Sequence, residues 1–155
     1  MRRQIRRARA VIFHPDGKIL LIERRKNDEH YFVLPGGHVE DVEAPEWTVI
    51  REVKEETSLD VTVNKLLYVG FDGLQNQTKI YLCNYLGGEP TLPPQSKEAS
   101  TAVETKQFYG PAWFTPEELR DQTVYPVGLF NQLEVDVHHN FADNPKDIPN
   151  HQQAV

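Results

Sequence analysis

A short apolar run, Tyr31-Phe32-Val33-Leu34, is stopped by Pro35-Gly36-Gly37; after a polar loop to Ala44 the chain restarts on Pro45 and the glutamate-dense run EWTVIREVKEETSL. Proline suits the first helical position, where its missing N–H costs nothing, and an acidic first turn suits the positive end of the helix dipole. The pattern predicts a strand, a tight turn and then a helix over about 45–57. On that helix Glu52, Glu55 and Glu56 fall within an arc of roughly 100°. Like charges so placed destabilise a helix by about 0.2–0.5 kcal/mol per pair. Val49, Ile50 and Val53 lie on the adjoining and opposite arcs and give the helix a core-facing side, so the carboxylates border the core. Clustered carboxylate oxygens are the ligands a hard cation such as Mg²⁺ takes, together with water and substrate phosphates. The plain alternative is a solvated acidic face.

Around this helix the sequence reads mostly as strands. Residues 4–14 and 18–23 are strand-like and are joined by the turn signal Pro15-Asp16-Gly17, which predicts a hairpin. Residues 61–71 and 79–86 read as two further strands, and Ala112-Trp113-Phe114 as a last one. Thr115-Pro116-Glu117-Glu118 has the pattern of a capping box, and a short helix is expected over about 127–138. The segment 87–106, rich in Gly, Pro, Ser and Glu, predicts a flexible surface loop. Strands on both sides of a central helix indicate an α+β fold, a mixed β-sheet flanked by helices. No linker divides the chain, which reads as a single domain over 1–140 with a polar C-terminal tail over 141–155.

Composition narrows the function classes. The net charge of −6 argues against a nucleic-acid-coating surface, so no stable nucleic-acid partner is expected. The charge is uneven: Arg2, Arg3, Arg6, Arg7 and Arg9 crowd the start, and acidic residues crowd 40–56. No apolar run approaches the roughly 20 residues of a membrane span. The basic start lacks the apolar core of a signal peptide. Cys83 is the only cysteine, so the reducing cytoplasm is the expected compartment and the thiol reads as core filler, not as a nucleophile.

The spacing of the charged residues is more specific than their number. Gly37, then five residues, Glu43, then seven residues, Arg51-Glu52-Val53-Lys54-Glu55-Glu56-Thr57-Ser58-Leu59 resembles the signature of the Nudix hydrolases, G-x5-E-x7-R-E-U-x-E-E-x-G-U with U a bulky aliphatic. Six fixed positions match, which by chance happens on the order of once in ten million alignments, so coincidence is a poor account. Leu34-Pro35-Gly36-Gly37 matches the family's approach to the signature, and KILLIERR and Trp113-Phe114 fall where it has strands. One position departs: Ser58 stands where the family has glycine. Serine would cost about 1 kcal/mol in a left-handed helix terminus.

The resemblance implies an α/β/α sandwich and a pyrophosphohydrolase that acts on a small nucleotide-type substrate and uses Mg²⁺ or Mn²⁺. Glu52, Glu55, Glu56 and the Gly37 carbonyl would hold the metal, Glu43 would pair with Arg51 to pin the 37–44 loop, and Glu55 or Glu56 would be the general base. Glu98 and Glu104 are rival bases. Arg7, Arg9, Arg24 and Glu104 are candidate substrate contacts; the arginines read equally well as solubilising charges on a sheet edge. Tyr31, Phe32 and Phe71 are candidate base-stacking aromatics or packing. A homodimer is possible, since dimers are common in the family. A non-catalytic nucleotide sensor on the same fold remains the alternative. A related isoprenoid diphosphate isomerase would need a cysteine in the loop before the helix, which this chain lacks.

Overall fold

The computed structural model of the protein describes residues 4–71, 76–92 and 108–148. In chain order its elements are β1 (Arg6–Ile12), β2 (Ile19–Lys26), β3 (Glu29–Val33), β4 (Gly36–His38), α1 (Pro45–Thr57), β5 (Val61–Phe71), β6 (Gln77–Tyr85), β7 (Phe108–Phe114), α2 (Pro116–Leu119), β8 (Val124–Tyr125), α3 (Leu129–His138) and β9 (Lys146–Asp147). Two mixed sheets result, in the orders β4-β1-β6-β5-β9 and β7-β2-β3-β8. The α+β class stands, but the expected single sheet is divided in two.

The division explains why β1 and β2 do not form the expected hairpin. Their turn closes as read, with the His14 amide donating to the Lys18 carbonyl at 2.8 Å and one bridge joining Phe13 to Ile19. Beyond that bridge both edges of β1 are taken, by β4 antiparallel and β6 parallel, so β2 pairs instead with β3 and β7.

Alternation along β1 sorts its residues between layers. Ala8, Ala10 and Ile12 face α1, where they bury Val49 and Val53 together with Leu59, Val61, Tyr81 and Cys83. Val11 faces the other way, into a cluster with Leu21, Phe32, Leu34, Leu67 and Ile80 that Leu129 and Leu133 of α3 cover. One helix thus closes each side, the sandwich that the resemblance implied. Among the described residues no helix is long and apolar enough to cross a membrane.

The chain past residue 140 is not a loose polar tail as far as it is described. Phe141 and Ile148 are buried in the α3-side cluster, and β9 pairs in parallel with β5. Asn144 Nδ2 donates to the Leu67 carbonyl at 2.8 Å, and Lys65 Nζ donates to the Phe141 carbonyl at 2.8 Å. Two isolated apolar anchors in a polar run carry no periodicity, which is why the segment reads as a tail. Segment 87–106 lies largely outside the described residues, and Glu98 and Glu104 with it.

Candidate active site

Strand β4 lies between β1 and α1, and glycine is required for it to fit there. Gly36 has φ +149°, and a Cβ on it would meet the Ala8 carbonyl oxygen at 2.3 Å. A Cβ on Gly37 would meet Glu52 Oε1 at 2.6 Å, so the Glu52 carboxylate rests against the Gly37 backbone. One turn further along α1, Glu56 Oε1 accepts the Gly36 N–H at 2.8 Å. The acid edge of the helix is therefore held against the glycine strand at two points.

Arg51 organises the other end. Its Nε and Nη2 reach the two oxygens of Glu43 at 2.7 and 3.0 Å, the bidentate geometry in which a guanidinium grips a carboxylate best. Thr48 Oγ1 adds a bond to Glu43 at 2.7 Å, and Arg51 Nη2 also donates to the His38 carbonyl at 3.3 Å. The loop from 38 to 43 is thereby clamped to the helix. Arg51 Nη1 meets Glu52 Oε1 at 3.0 Å and Glu55 Oε2 at 3.3 Å, the latter an i,i+4 pair. The bond from Arg51 is the chief reason the Glu43 carboxyl drops to about 2, burial opposing it. The same bond raises the Arg51 pKa, so the guanidinium stays charged.

The carboxylates form a burial gradient. Glu56 is 3% exposed, the Glu52 side chain 14% and the Glu55 side chain 52%. Glu43, Glu52 and Glu55 all reach the Arg51 guanidinium, which leaves an excess of negative charge around it on one edge of α1. Ser58 ends the helix in the left-handed region at φ 67°, as a glycine would. Its hydroxyl donates to the Thr91 carbonyl at 2.8 Å and accepts from Thr91 Oγ1 at 3.0 Å, contacts that offset the strain and that glycine could not make.

Arg7 and Arg9 of β1 pair with His38 and Gly36 of β4. Arg9 is 8% exposed and donates from Nη1 to the Leu34 carbonyl at 3.0 Å. Burial lowers its pKa to about 10; Glu56 and Glu52 pull it up, while Arg24 and Arg7 push it down. Arg24 on β2 faces Tyr31 of β3 and Tyr109 of β7 in register, and its guanidinium carbon sits 4.9 Å from the Tyr109 ring centre. Arg7 Nη1 and Arg24 Nε are buried without a hydrogen-bond partner among the described residues.

Other expectations fall as follows. Tyr31 and Phe32 are buried packing residues, whereas Phe71 is exposed. Cys83 is buried, and burial pushes its thiol up to about 12, which suits core filling. Thr48 and Tyr109 were not foreseen. Thr48 clamps Glu43 from inside the signature, where any residue is allowed, and Tyr109 reaches Arg24 only through a pairing across more than eighty residues.

The donor chemistry can be tested against a divalent cation. All the available groups are oxygens: the Glu52, Glu55 and Glu56 carboxylates and the backbone at Gly37, the set that Mg²⁺ or Mn²⁺ takes. Among the described residues no three such side chains already converge as a cage. Arg51 occupies the place of counter-charge to Glu52 and Glu55, and Glu55, half exposed, is free to turn from a bond of only 3.3 Å. The residues fit the metal in kind and in placement along one edge.

Comparison with known proteins gives this site its family. The NUDIX domain model matches residues 3–130. A MutT-like protein of Streptomyces ambofaciens is 33% identical over 131 residues, 80% of this chain and 73% of that protein. An ADP-ribose pyrophosphatase of Methanocaldococcus jannaschii is 38% identical over 95 residues, 57% of this chain and 56% of that enzyme. Among solved structures, an ADP-ribose pyrophosphatase of Streptococcus suis superposes with TM-score 0.64 at 23% identity, covering 94% of this chain and 98% of that one, a likeness of fold. The chain belongs to the NUDIX family, the Nudix pyrophosphohydrolases, enzymes acting on acid anhydrides in phosphorus-containing compounds.

Proposed function

We propose that the protein is a divalent-metal-dependent hydrolase that cleaves the pyrophosphate bond of a nucleoside diphosphate linked to a second group. The observation that carries this reading is the excess of carboxylates around Arg51, placed directly against the Gly36–Gly37 backbone. Glu52, Glu55, Glu56 and the Gly37 carbonyl would hold Mg²⁺ or Mn²⁺. The ion, when bound, supplies charge neutralisation at the phosphate oxygens and a lowered pKa for water.

The chain's own groups do the rest. The Glu43–Arg51 clamp fixes the loop beside the glycines, which keeps the acids in place as substrate arrives. Water attacks one phosphorus, the bridging P–O bond breaks, and two phosphomonoesters leave with the proton of water taken by a carboxylate. Of Glu55 and Glu56, Glu55 is the better placed as base: it is exposed and loosely held, while Glu56 already accepts the Gly36 N–H. The relatives named for ADP-ribose make a nucleoside diphosphate joined to a sugar the first substrate to try. The buried single cysteine suits a reducing compartment, the cytoplasm.

The test is turnover over a panel of nucleoside diphosphate derivatives with Mg²⁺ or Mn²⁺, comparing the wild type with Glu55→Gln/Glu56→Gln. The double variant should lose at least about a hundredfold in rate, the scale of removing electrostatic stabilisation from a transition state. Undiminished hydrolysis would remove both glutamates from the reaction.

A further inference from the structure

We propose that Arg7 and Arg24 form a preformed cradle for a phosphate group, the one farther from the acid edge of α1, so that the protein binds a pyrophosphate anion even without metal. The inference rests on the reading of a pyrophosphate substrate, but its test needs no turnover.

Buried cationic donors are nearly always paired, because an unpaired one forfeits its hydration with nothing in return. Here two break that rule together. Arg7 Nη1 and Arg24 Nε have no partner among the described residues, although both atoms are shielded from solvent. Both lie close enough to Arg9 to depress its pKa. Arg9 itself is already committed to the Leu34 carbonyl, so it lends charge to the cluster without offering its Nη1. Three guanidiniums therefore lie within electrostatic reach of one another, and two of them carry a buried donor without a partner among the described residues.

The neighbouring Arg25 shows the difference. It is exposed and paired with Glu23, at 3.1 Å from Nη2, as a solubilising strand arginine should be. Arg24, one position earlier, points to the other face and is fixed in orientation by the Tyr109 ring. Rigid, unpaired guanidinium N–H groups match phosphate oxygens, which accept several charge-assisted bonds at once. Register places the cluster beside the acid edge: Arg7 pairs with His38 and Arg9 with Gly36 on the three-residue strand that Glu52 and Glu56 touch from the helix, and Arg24 of β2 joins them through its proximity to Arg9. A pyrophosphate set across β4 has one phosphate near the acid edge and its metal, and the other near the arginines.

The experiment is calorimetric titration of inorganic pyrophosphate into metal-free protein in EDTA. It compares the wild type with Arg7→Gln, Arg24→Gln, the double variant and the control Arg25→Gln. Each cradle variant should weaken binding about tenfold, as expected for loss of a charge-assisted bond, and the control should change it less than about twofold. The melting temperature of Arg7→Gln should not fall, since Arg7 Nη1 bonds nothing among the described residues, and that of Arg24→Gln should fall only by the loss of its Tyr109 ring contact. If Arg7→Gln does not fold, Arg24→Gln alone carries the same comparison. Equal binding by the double variant and the wild type overturns the proposal, as does an equal loss in Arg25→Gln or no measurable binding by the wild type. Metal-dependent turnover of the wild type is followed in parallel, so that turnover lost with metal-free binding intact is a failure of the metal reading, and binding equal in the double variant with turnover intact is a failure of the cradle.

Discussion

Two groups of charged side chains among the described residues, one around Asp136 and one along α1, are built on opposite principles. Around Asp136, one carboxylate collects several donors: Tyr68 Oη at 2.6 Å, Lys146 Nζ at 2.6 Å and Gln132 Nε2 at 3.0 Å. Burial works to raise the Asp136 pKa, but these bonds outweigh it and hold it below the usual carboxylate range. At α1 the ratio is inverted, with Glu43, Glu52 and Glu55 drawing on the one Arg51 guanidinium. A balanced buried ion is a clasp, here fastening the last described segment to β5 and α3. A cation shared among several acids is the arrangement that the proposed divalent ion would complete.

Charge removal should therefore act in opposite directions at the two sites. The largest effect belongs to Glu52→Gln: hydrolysis should fall about a hundredfold or more, while thermal melting stays level or rises as repulsion along α1 is relieved by about 0.2–0.5 kcal/mol per pair. A fall in stability together with intact turnover would put Glu52 in the class of Asp136. Asp136→Asn should do the reverse, losing about 2 kcal/mol of folding free energy in chemical denaturation with activity kept well below the melting temperature. Unchanged stability there would mean the clasp is ornamental.

The smallest effect concerns pH and Glu43, the acid that Arg51 grips with two bonds. Glu43 ionises at about 2 in the folded protein against an ordinary value of 4.5, so it binds its proton more readily when unfolded. Its contribution is complete above about pH 5 and is lost as pH falls through the folded value, with stability declining on acidification. Glu43→Gln should lower stability by about 1–2 kcal/mol at neutral pH and flatten the acid limb of the melting curve between about pH 5 and 2. A variant whose acid limb matches the wild type would show that the Glu43–Arg51 pair carries no net coupling to folding.

Local rules made much of this readable in advance. Pro45 and Ser58 mark the ends of α1, and the helix runs from Pro45 to Thr57. Strand β5 spans Val61–Phe71, the run its β-branched residues suggested. The capping box at Thr115 is present in both directions, through Thr115 Oγ1 and Glu118 Oε1. The glutamates, the arginine and the glycines of the site fall within 23 residues of chain, so their spacing alone announced them. Arg7 and Arg24 were visible as residues but not as a pair with orphaned donors. Nothing local distinguishes Arg24 from Arg25 until strand pairing sets one against the Tyr109 ring and the other in water.

The chain's own order of residues thus fixed the acid helix, its glycine approach and the family chemistry, because helix periodicity and turn geometry act over a few positions. The split into two sheets, the docking of Phe141 and Ile148, the Asp136 clasp and the Tyr109 ring under Arg24 arose from folding in three dimensions. Each depends on partners from 68 to 85 residues apart or on which strand edge remains vacant, and no short-range preference encodes either. Burial and pairing, which decide whether a charge is solubilising, clasping or waiting for a ligand, exist only once those distant partners have met.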